Sequence, residues 1–134
     1  MTPCSYCYLD YGQGLKDDPF FYIGGRVTLE RCYSFDPCAG VPDDAKSHIL
    51  GGQGNNWTEY TWNEYDLAWK AWPRMLALAE VFWLGEAKPG FADFKPRAAA
   101  QRNVYSVYAK QGFFPKLLFI PSGESLFRWR CGIT

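Results

Sequence analysis

The sequence predicts an α/β fold, with short strands in the first part of the chain and helices in the second. Two short apolar or aromatic segments, residues 4–11 and 49–52, adjoin glycines, as buried strands that run out into loops do. Residues 73–84 carry apolar side chains at helical spacing. The length of 134 residues provides one small domain or a part of a larger one.

The elements before residue 60 are predicted to be short. Residues 4–11 predict a buried strand that ends at a Gly-Gln-Gly sequence. Residues 15–48 are rich in Asp, Pro and Gly, and they predict a long ordered loop with one helical turn near 28–33. Loops of this length usually carry function. Residues 49–52 predict a second short strand.

The second half of the chain predicts three helices. Pro73 separates a helix over 64–71 from one over 73–84, because proline is tolerated at the first helical position but not in a helix interior. Gly85 is expected to end the second helix. A last helix is predicted over 93–111, after a Pro-Gly linker.

The charge balance argues against two classes of partner. Lys+Arg and Asp+Glu both number 14, so the formal net charge is zero. Proteins that bind nucleic-acid phosphates or anionic membrane surfaces generally carry a basic excess. The first residues lack a signal-peptide pattern, and no stretch approaches the roughly 20 apolar residues of a membrane span. We therefore expect no nucleic acid and no membrane as partner, and the compartment stays open.

The five cysteines could indicate a zinc site, but their spacing argues against one. Cys4 and Cys7 form a C-x-x-C motif, whereas Cys32 and Cys38 are more widely spaced than zinc ligands usually are. The only histidine is His48. We expect buried or half-buried thiols, and neither a metal nor another cofactor.

Two segments pair an aromatic side chain with a carboxylate. Tyr8 lies two residues before Asp10, and Trp57 lies two residues before Glu59. In a strand, residues two apart point to the same side. A sugar ring stacks its C–H face on an aromatic ring, and its hydroxyls donate to carboxylates. The 19% aromatic content fits a sugar-binding cleft or a densely packed core, and such pairs also arise by chance at solvated strand ends.

Five motifs follow one another along the chain: Tyr8-Leu9-Asp10-Tyr11, Tyr33-Ser34-Phe35-Asp36-Pro37, Ile49-Leu50-Gly51-Gly52-Gln53, Trp57-Thr58-Glu59, and Trp72-Pro73-Arg74 with Ala79-Glu80. Their order and spacing resemble the C-terminal part of the catalytic domain of glycoside hydrolase family 20, the β-N-acetylhexosaminidases. The resemblance spans roughly residues 4–112.

The resemblance implies that the chain is the C-terminal fragment of a (β/α)8 TIM barrel, incomplete on its own. Such a barrel takes about 250 residues and places its site at the C-terminal ends of the strands. Residues 4–11 would be strand seven, 49–57 strand eight, and 64–84 the closing helices. Residues 1–112 would form the barrel portion, and 113–134 a divergent tail of unclear structure.

The resemblance also implies a chemistry, in which the 2-acetamido oxygen of the sugar itself attacks C1. Tyr8 matches the family tyrosine that holds this oxygen in place. Trp57 matches the tryptophan that lines the terminal sugar subsite, and Asp10 and Glu59 match carboxylates that bind the outer hydroxyls. The implied reaction is removal of terminal N-acetylglucosamine or N-acetylgalactosamine from glycans that contain N-acetylhexosamine.

One part of the family machinery is missing from the sequence. The acid pair of the family is an adjacent Asp-Glu, and this sequence contains no Asp-Glu dipeptide. We therefore expect the chain to supply pocket residues, to be inactive alone, and to pair with a missing N-terminal part of the same barrel. The alternative is a non-catalytic carbohydrate-binding or interaction module. Such modules are usually β-sandwiches, and the helical second half argues against one.

Two groups of residues are expected to have a structural rather than a catalytic role. Arg74 and Glu80 are expected to belong to a polar network. Trp62, Tyr65, Trp69 and Trp72 recur at roughly helical spacing. They could form a cofactor or sugar surface, but core packing against the barrel is the favoured interpretation.

Overall fold

The chain forms a mostly helical structure in the computed structural model, which describes residues 2–15, 18, 22–101, 118–122 and 125–130. The helices are α1 (Cys4–Cys7), α2 (Leu29–Tyr33), α3 (Glu64–Ala71), α4 (Arg74–Leu84) and α5 (Phe91–Ala100), with 3-10 turns at Asp43–His48 and Gly85–Ala87. Two strands, β1 (Leu118–Ser122) and β2 (Ser125–Arg130), pair antiparallel.

Neither strand predicted in the first part of the chain is present. Residues 4–7 form helix α1, and residues 49–52 have no regular structure. What remains of the predicted pairing is one parallel bridge between Tyr8 and Asn55, flanked by backbone hydrogen bonds of 2.7 and 2.8 Å. A strand of a parallel sheet is normally bonded on both sides. A second isolated parallel bridge joins Gly12 to Arg26, just after the first segment. Within the described chain these bridges are too short to bond a strand along its length, so neither segment is extended into one.

The predictions for the turn near 28–33 and for the two central helices are confirmed. In α2 the Thr28 side chain accepts from the Arg31 amide at 3.1 Å, and at the start of α3 Asn63 accepts from the Asp66 amide at 3.0 Å. Both contacts satisfy amides that have no partner within the helix. Helix α4 begins one residue later than predicted, and Gly85 ends it at a φ of 54°.

The last helix differs from its prediction. Helix α5 begins at Phe91, directly after Gly90, and ends at Ala100. The predicted continuation to residue 111 lies outside the described residues beyond Gln101. The 3-10 turn at Asp43–His48 was not predicted, because such short turns leave a weak sequence pattern.

The apolar core joins α4 to α2 and α5. Its buried members are Cys7, Leu9, Val27, Cys32, Tyr33, Phe35, Ala77, Leu78, Val81, Phe94 and Ala98. The Tyr33 ring stacks on Phe94 at a centroid distance of 4.4 Å. Burial raises the pKa of the Cys7 thiol to about 11 and that of Cys32 to about 12, because an apolar core disfavours the thiolate. Cys4, in contrast, is exposed.

Arg74 is fully buried and connects separate parts of the chain. Its Nη1 donates to the carbonyl oxygens of Tyr11 and Val27, each at 2.9 Å. Its Nη2 donates to the carbonyls of Leu9 and Lys70. Burial lowers the pKa of the guanidinium to about 10. Arg74 therefore fastens the first segment to the junction of α3 and α4, as the prediction of a structural network implies.

Glu80 belongs to a second polar network. Its carboxylate accepts from the Tyr33 hydroxyl at 2.9 Å and from both terminal nitrogens of Arg97 at 2.7 Å. These bonds with Arg97 lower the pKa of Glu80. The carboxylate therefore ties α2, α4 and α5 together, and the prediction of a structural role for Glu80 is confirmed.

Several large apolar side chains lie outside the core. Leu50 is 98% exposed, Trp83 89% and Trp62 74%. Trp62 lies outside the core of this chain, and its packing against the rest of a barrel stays a prediction. Among the described residues, no helix has both the length and the apolar character needed to cross a membrane.

The central place of Arg74 generates a first prediction. Arg74→Met should lower the free energy of unfolding by about 3 kcal/mol, because several buried carbonyls lose their donor. Urea unfolding measures this loss. Arg31→Met is the control. Because Arg31 is exposed, this variant should lower the free energy of unfolding by less than about 1 kcal/mol. Equal losses for the two variants would contradict the assigned role of Arg74.

Candidate functional site

The structure brings the two predicted site segments together at Tyr8 and Trp57. Their rings meet edge to face, with centroids 5.7 Å apart and planes at 75°. The Tyr8 ring meets Tyr11 in the same way at 5.8 Å. The bridge from Tyr8 to Asn55 fixes this arrangement, because Trp57 follows only two residues later. Edge-to-face contact is a favourable geometry for aromatic pairs.

Asp10 lies beside these rings in the sequence and is almost completely buried. The residue is 2% exposed, and its Oδ1 has no hydrogen-bond partner among the described residues. Burial raises the pKa of the carboxyl group, and the charge of Glu59 raises it further, whereas Lys70 and Arg74 lower it. The carboxyl groups of Asp10 and Glu59 therefore lie near enough to interact electrostatically. Asp10 Oδ1 is an exception to the rule that buried polar atoms are hydrogen-bonded.

The prediction that each aromatic side chain shares a strand face with its carboxylate is wrong. Thr58 has a φ of 65°, so the segment that joins Trp57 to Glu59 is not extended. Asp10 lies in a turn rather than in a strand, and it is buried while Trp57 is 54% exposed. Turn geometry, not strand alternation, determines where the four side chains lie.

Asn56 organises the turn that follows the bridge. Its Oδ1 accepts from the Thr58 amide at 3.2 Å and from the Thr61 hydroxyl at 3.3 Å. Its Nδ2 is buried and has no hydrogen-bond partner in the described part of the chain. The Asn56 side chain therefore stabilises the turn through its Oδ1.

Lys70 was missed by the sequence analysis. Its side chain is fully buried, and Nζ donates to the Tyr60 carbonyl at 2.6 Å and to the Thr61 hydroxyl at 3.1 Å. Burial lowers the pKa of the ammonium group. No residue pattern indicates this burial, because Lys70 and Arg74 belong to two helices that are separated at Trp72 and Pro73.

Two further features bear on what the site can hold. Among the described residues, no group of three or more His, Cys, Asp or Glu side chains is placed to hold a metal ion. A groove of about 750 Å³ lies elsewhere, and its lining includes Gly51, Gly52 and Trp83 but none of the four predicted site residues. The chemistry of the candidate site therefore depends on Tyr8, Asp10 and the turn after Asn55.

The sequence profile of glycosyl hydrolase family 20, catalytic domain, matches residues 1–86. The chain belongs to glycosyl hydrolase family 20. It is 41% identical over 96 residues to a β-hexosaminidase of Porphyromonas gingivalis, covering 70% of this chain and 12% of that protein. It is 28% identical over 129 residues to a β-hexosaminidase of Akkermansia muciniphila, covering 96% of this chain and 25% of that protein. The chain thus spans a quarter or less of these family 20 relatives.

Solved family 20 structures resemble the fold of this chain. A β-N-acetylhexosaminidase matches with a TM-score of 0.71 and 28% identity, over 97% of this chain and 27% of its own. The Vibrio harveyi exo-β-N-acetylglucosaminidase, solved with N-acetylglucosamine, matches with a TM-score of 0.70 and 26% identity, over 84% of this chain and 18% of its own. These family members are TIM barrels, and this chain is a partial, mostly helical piece of that fold.

The burial of Asp10 generates a second prediction. Because its pKa is raised in the folded state, the native chain holds this proton more tightly than the unfolded chain does. Stability should therefore fall as the pH rises from about 4 through the folded-state pKa. Asp10→Asn should remove this decrease of stability with rising pH, and it should raise the free energy of unfolding at pH 7 by about 1 kcal/mol.

Urea unfolding at several pH values measures the effect of Asp10→Asn. The control is Asp44→Asn, which changes an exposed carboxylate and should leave the decrease of stability with rising pH unchanged. A clear loss of stability in Asp10→Asn at neutral pH would mean that the native carboxylate is paired, against this account.

Proposed function

We propose that the chain supplies the C-terminal portion of a β-N-acetylhexosaminidase barrel and part of its terminal-sugar pocket. In the complete barrel, residues 4–11 and 49–57 would form strands seven and eight, and 64–84 the closing helices. The parallel bridge between Tyr8 and Asn55 supports this assignment, because neighbouring barrel strands are parallel. Residues 1–112 would be the barrel portion and 113–134 a tail.

The observation that carries the proposal is the contact of Tyr8 with Trp57 beside a buried carboxylate that lacks a partner. Two aromatic rings offer a surface for the apolar face of a sugar. The Oδ1 of Asp10 offers a strong acceptor for a sugar hydroxyl. Asn56 adds a buried amide donor that has no hydrogen-bond partner within the described chain. A pyranose with an amide substituent provides groups for all of these.

Each site residue would then bind or orient the sugar. Trp57 would line the subsite of the terminal sugar, while Asp10 and Glu59 would accept from its outer hydroxyls. The Tyr8 hydroxyl would hold the 2-acetamido oxygen in line with C1, which is a positioning effect. The acetamido oxygen forms a bond to C1 as the bond to the leaving oxygen breaks.

The protonation step would need a residue from outside this chain. The leaving oxygen must accept a proton, and the acid pair expected from the family resemblance is absent from the sequence. The missing N-terminal portion of the barrel would supply it. Substrates would be glycans that end in N-acetylhexosamine. The structural relative from Vibrio harveyi, solved with N-acetylglucosamine, supports this choice of sugar.

A third prediction follows for catalysis. The purified chain alone should not hydrolyse a chromogenic N-acetylglucosaminide. Coexpression with the Porphyromonas gingivalis relative, truncated before the segment that matches this chain, should produce turnover. Tyr8→Phe in this chain should then reduce kcat by about a hundredfold, because the acetamido oxygen loses its positioning bond.

Tyr6→Phe is the matched control for Tyr8→Phe. Tyr6 packs against the core and stacks on Phe35, so the loss of its hydroxyl should leave kcat unchanged. Turnover by the chain alone would refute the proposed division of labour. A complex that forms and binds the sugar, but never turns it over, would favour the non-catalytic module instead.

A further inference from the structure

The segment from Trp57 to Thr61, here called the rim turn, is held in a strained conformation. Thr58 has a φ of 65°, in the left-handed region that β-branched residues rarely adopt. Such a conformation persists only where neighbouring contacts determine it, and it is often found at functional sites. The rim turn carries both Trp57 and Glu59, so the Thr58 backbone sets the direction of two proposed sugar-binding side chains.

A chain of hydrogen bonds connects Thr58 to the buried ammonium of Lys70. Lys70 Nζ donates to the Thr61 hydroxyl at 3.1 Å, and that hydroxyl donates to Asn56 Oδ1 at 3.3 Å. The same Oδ1 accepts from the Thr58 amide at 3.2 Å. Lys70 Nζ also donates to the Tyr60 carbonyl at 2.6 Å. The ammonium therefore restrains the rim turn at both its side-chain and its backbone groups.

Lys70 itself is held by the buried guanidinium of Arg74. Its carbonyl accepts from Arg74 at 2.6 and 3.2 Å, and its side chain is fully buried at the end of α3. Burying an ammonium group is unfavourable, whereas an apolar side chain of similar length would be buried without that cost. The nearby charges of Asp66 and Asp10 offset part of this cost. The bonds that Lys70 donates to the rim turn give the lysine a role that an apolar side chain could not fill.

We propose that Lys70 is a positioning residue of the sugar pocket, which fixes the strained rim turn and so sets where Trp57 and Glu59 lie. The link to sugar rests on the proposed function. The restraint of the rim turn does not, because it is a property of the chain without sugar.

NMR of the full chain without sugar tests the restraint. In Lys70→Met, the Thr61 amide, which donates to the Thr58 carbonyl at 3.0 Å, should exchange about tenfold faster. The short amide-to-Hα distance within Thr58, which reports a positive φ, should lengthen. The amides of Leu9 and Asn55, which bond across the bridge, should keep their exchange rates. Lys95→Met removes a lysine on α5 and should change none of these signals.

Two further variants separate positioning from general stability. Thr61→Val keeps Lys70 but removes the hydrogen bond to Asn56, and it should also lengthen the amide-to-Hα distance within Thr58. Thr58→Gly removes the strain, because glycine adopts positive φ freely. In the Thr58→Gly background, Lys70→Met should therefore accelerate Thr61 exchange by less than about threefold.

Two results would overturn the proposal. One is faster exchange at Leu9 and Asn55 by the same factor as at Thr61, which would make Lys70 a general stabiliser. The other is an unchanged positive φ at Thr58 in both Lys70→Met and Thr61→Val. Because no sugar is present, a pocket that fails to bind sugar would refute the proposed function and leave this result standing.

Discussion

The buried guanidinium of Arg74 is the interaction on which the rest of the structure depends. It donates to carbonyls at Leu9, Tyr11 and Val27, which lie in segments with almost no regular backbone pairing of their own. One side chain at the start of α4 thereby satisfies acceptors that strand neighbours satisfy in a complete sheet. It also places Tyr8 and Asp10 over the junction of α3 and α4, where the rim turn is anchored.

The parts of the fold that the sequence predicted correctly are those with local causes. Helices α2, α3 and α4 follow from capping side chains, an apolar stripe and Gly85, all within a few residues. The strand at residues 4–11 could not form by local preference, because a parallel strand needs neighbours that are distant in sequence. Helix α1 and a single bridge stand in its place.

The candidate site shows the same division between local and distant causes. Motif resemblance named Tyr8 and Trp57, and their rings do meet. The expected shared face failed because of the backbone at Thr58, which no residue pattern indicates. The burial of Lys70 could not be predicted, because lysine side chains are usually exposed to solvent and only the tertiary packing buries this one. The apolar side chains of the core pack against one another. The polar groups whose burial is unfavourable lie near the Tyr8 and Trp57 rings instead, as expected where binding competes with stability.

The most direct test of the central claim is an NMR titration of the chain with N-acetylglucosamine. The account predicts saturable shifts at Tyr8, Leu9 and Asp10 and along the rim turn, including the Trp57 indole, with weak affinity because only part of a pocket is present. Asp10→Ala should abolish these shifts. Shifts confined to the groove around Gly51 and Trp83, or no saturable shift at all, would contradict the claim that this chain carries part of a sugar pocket.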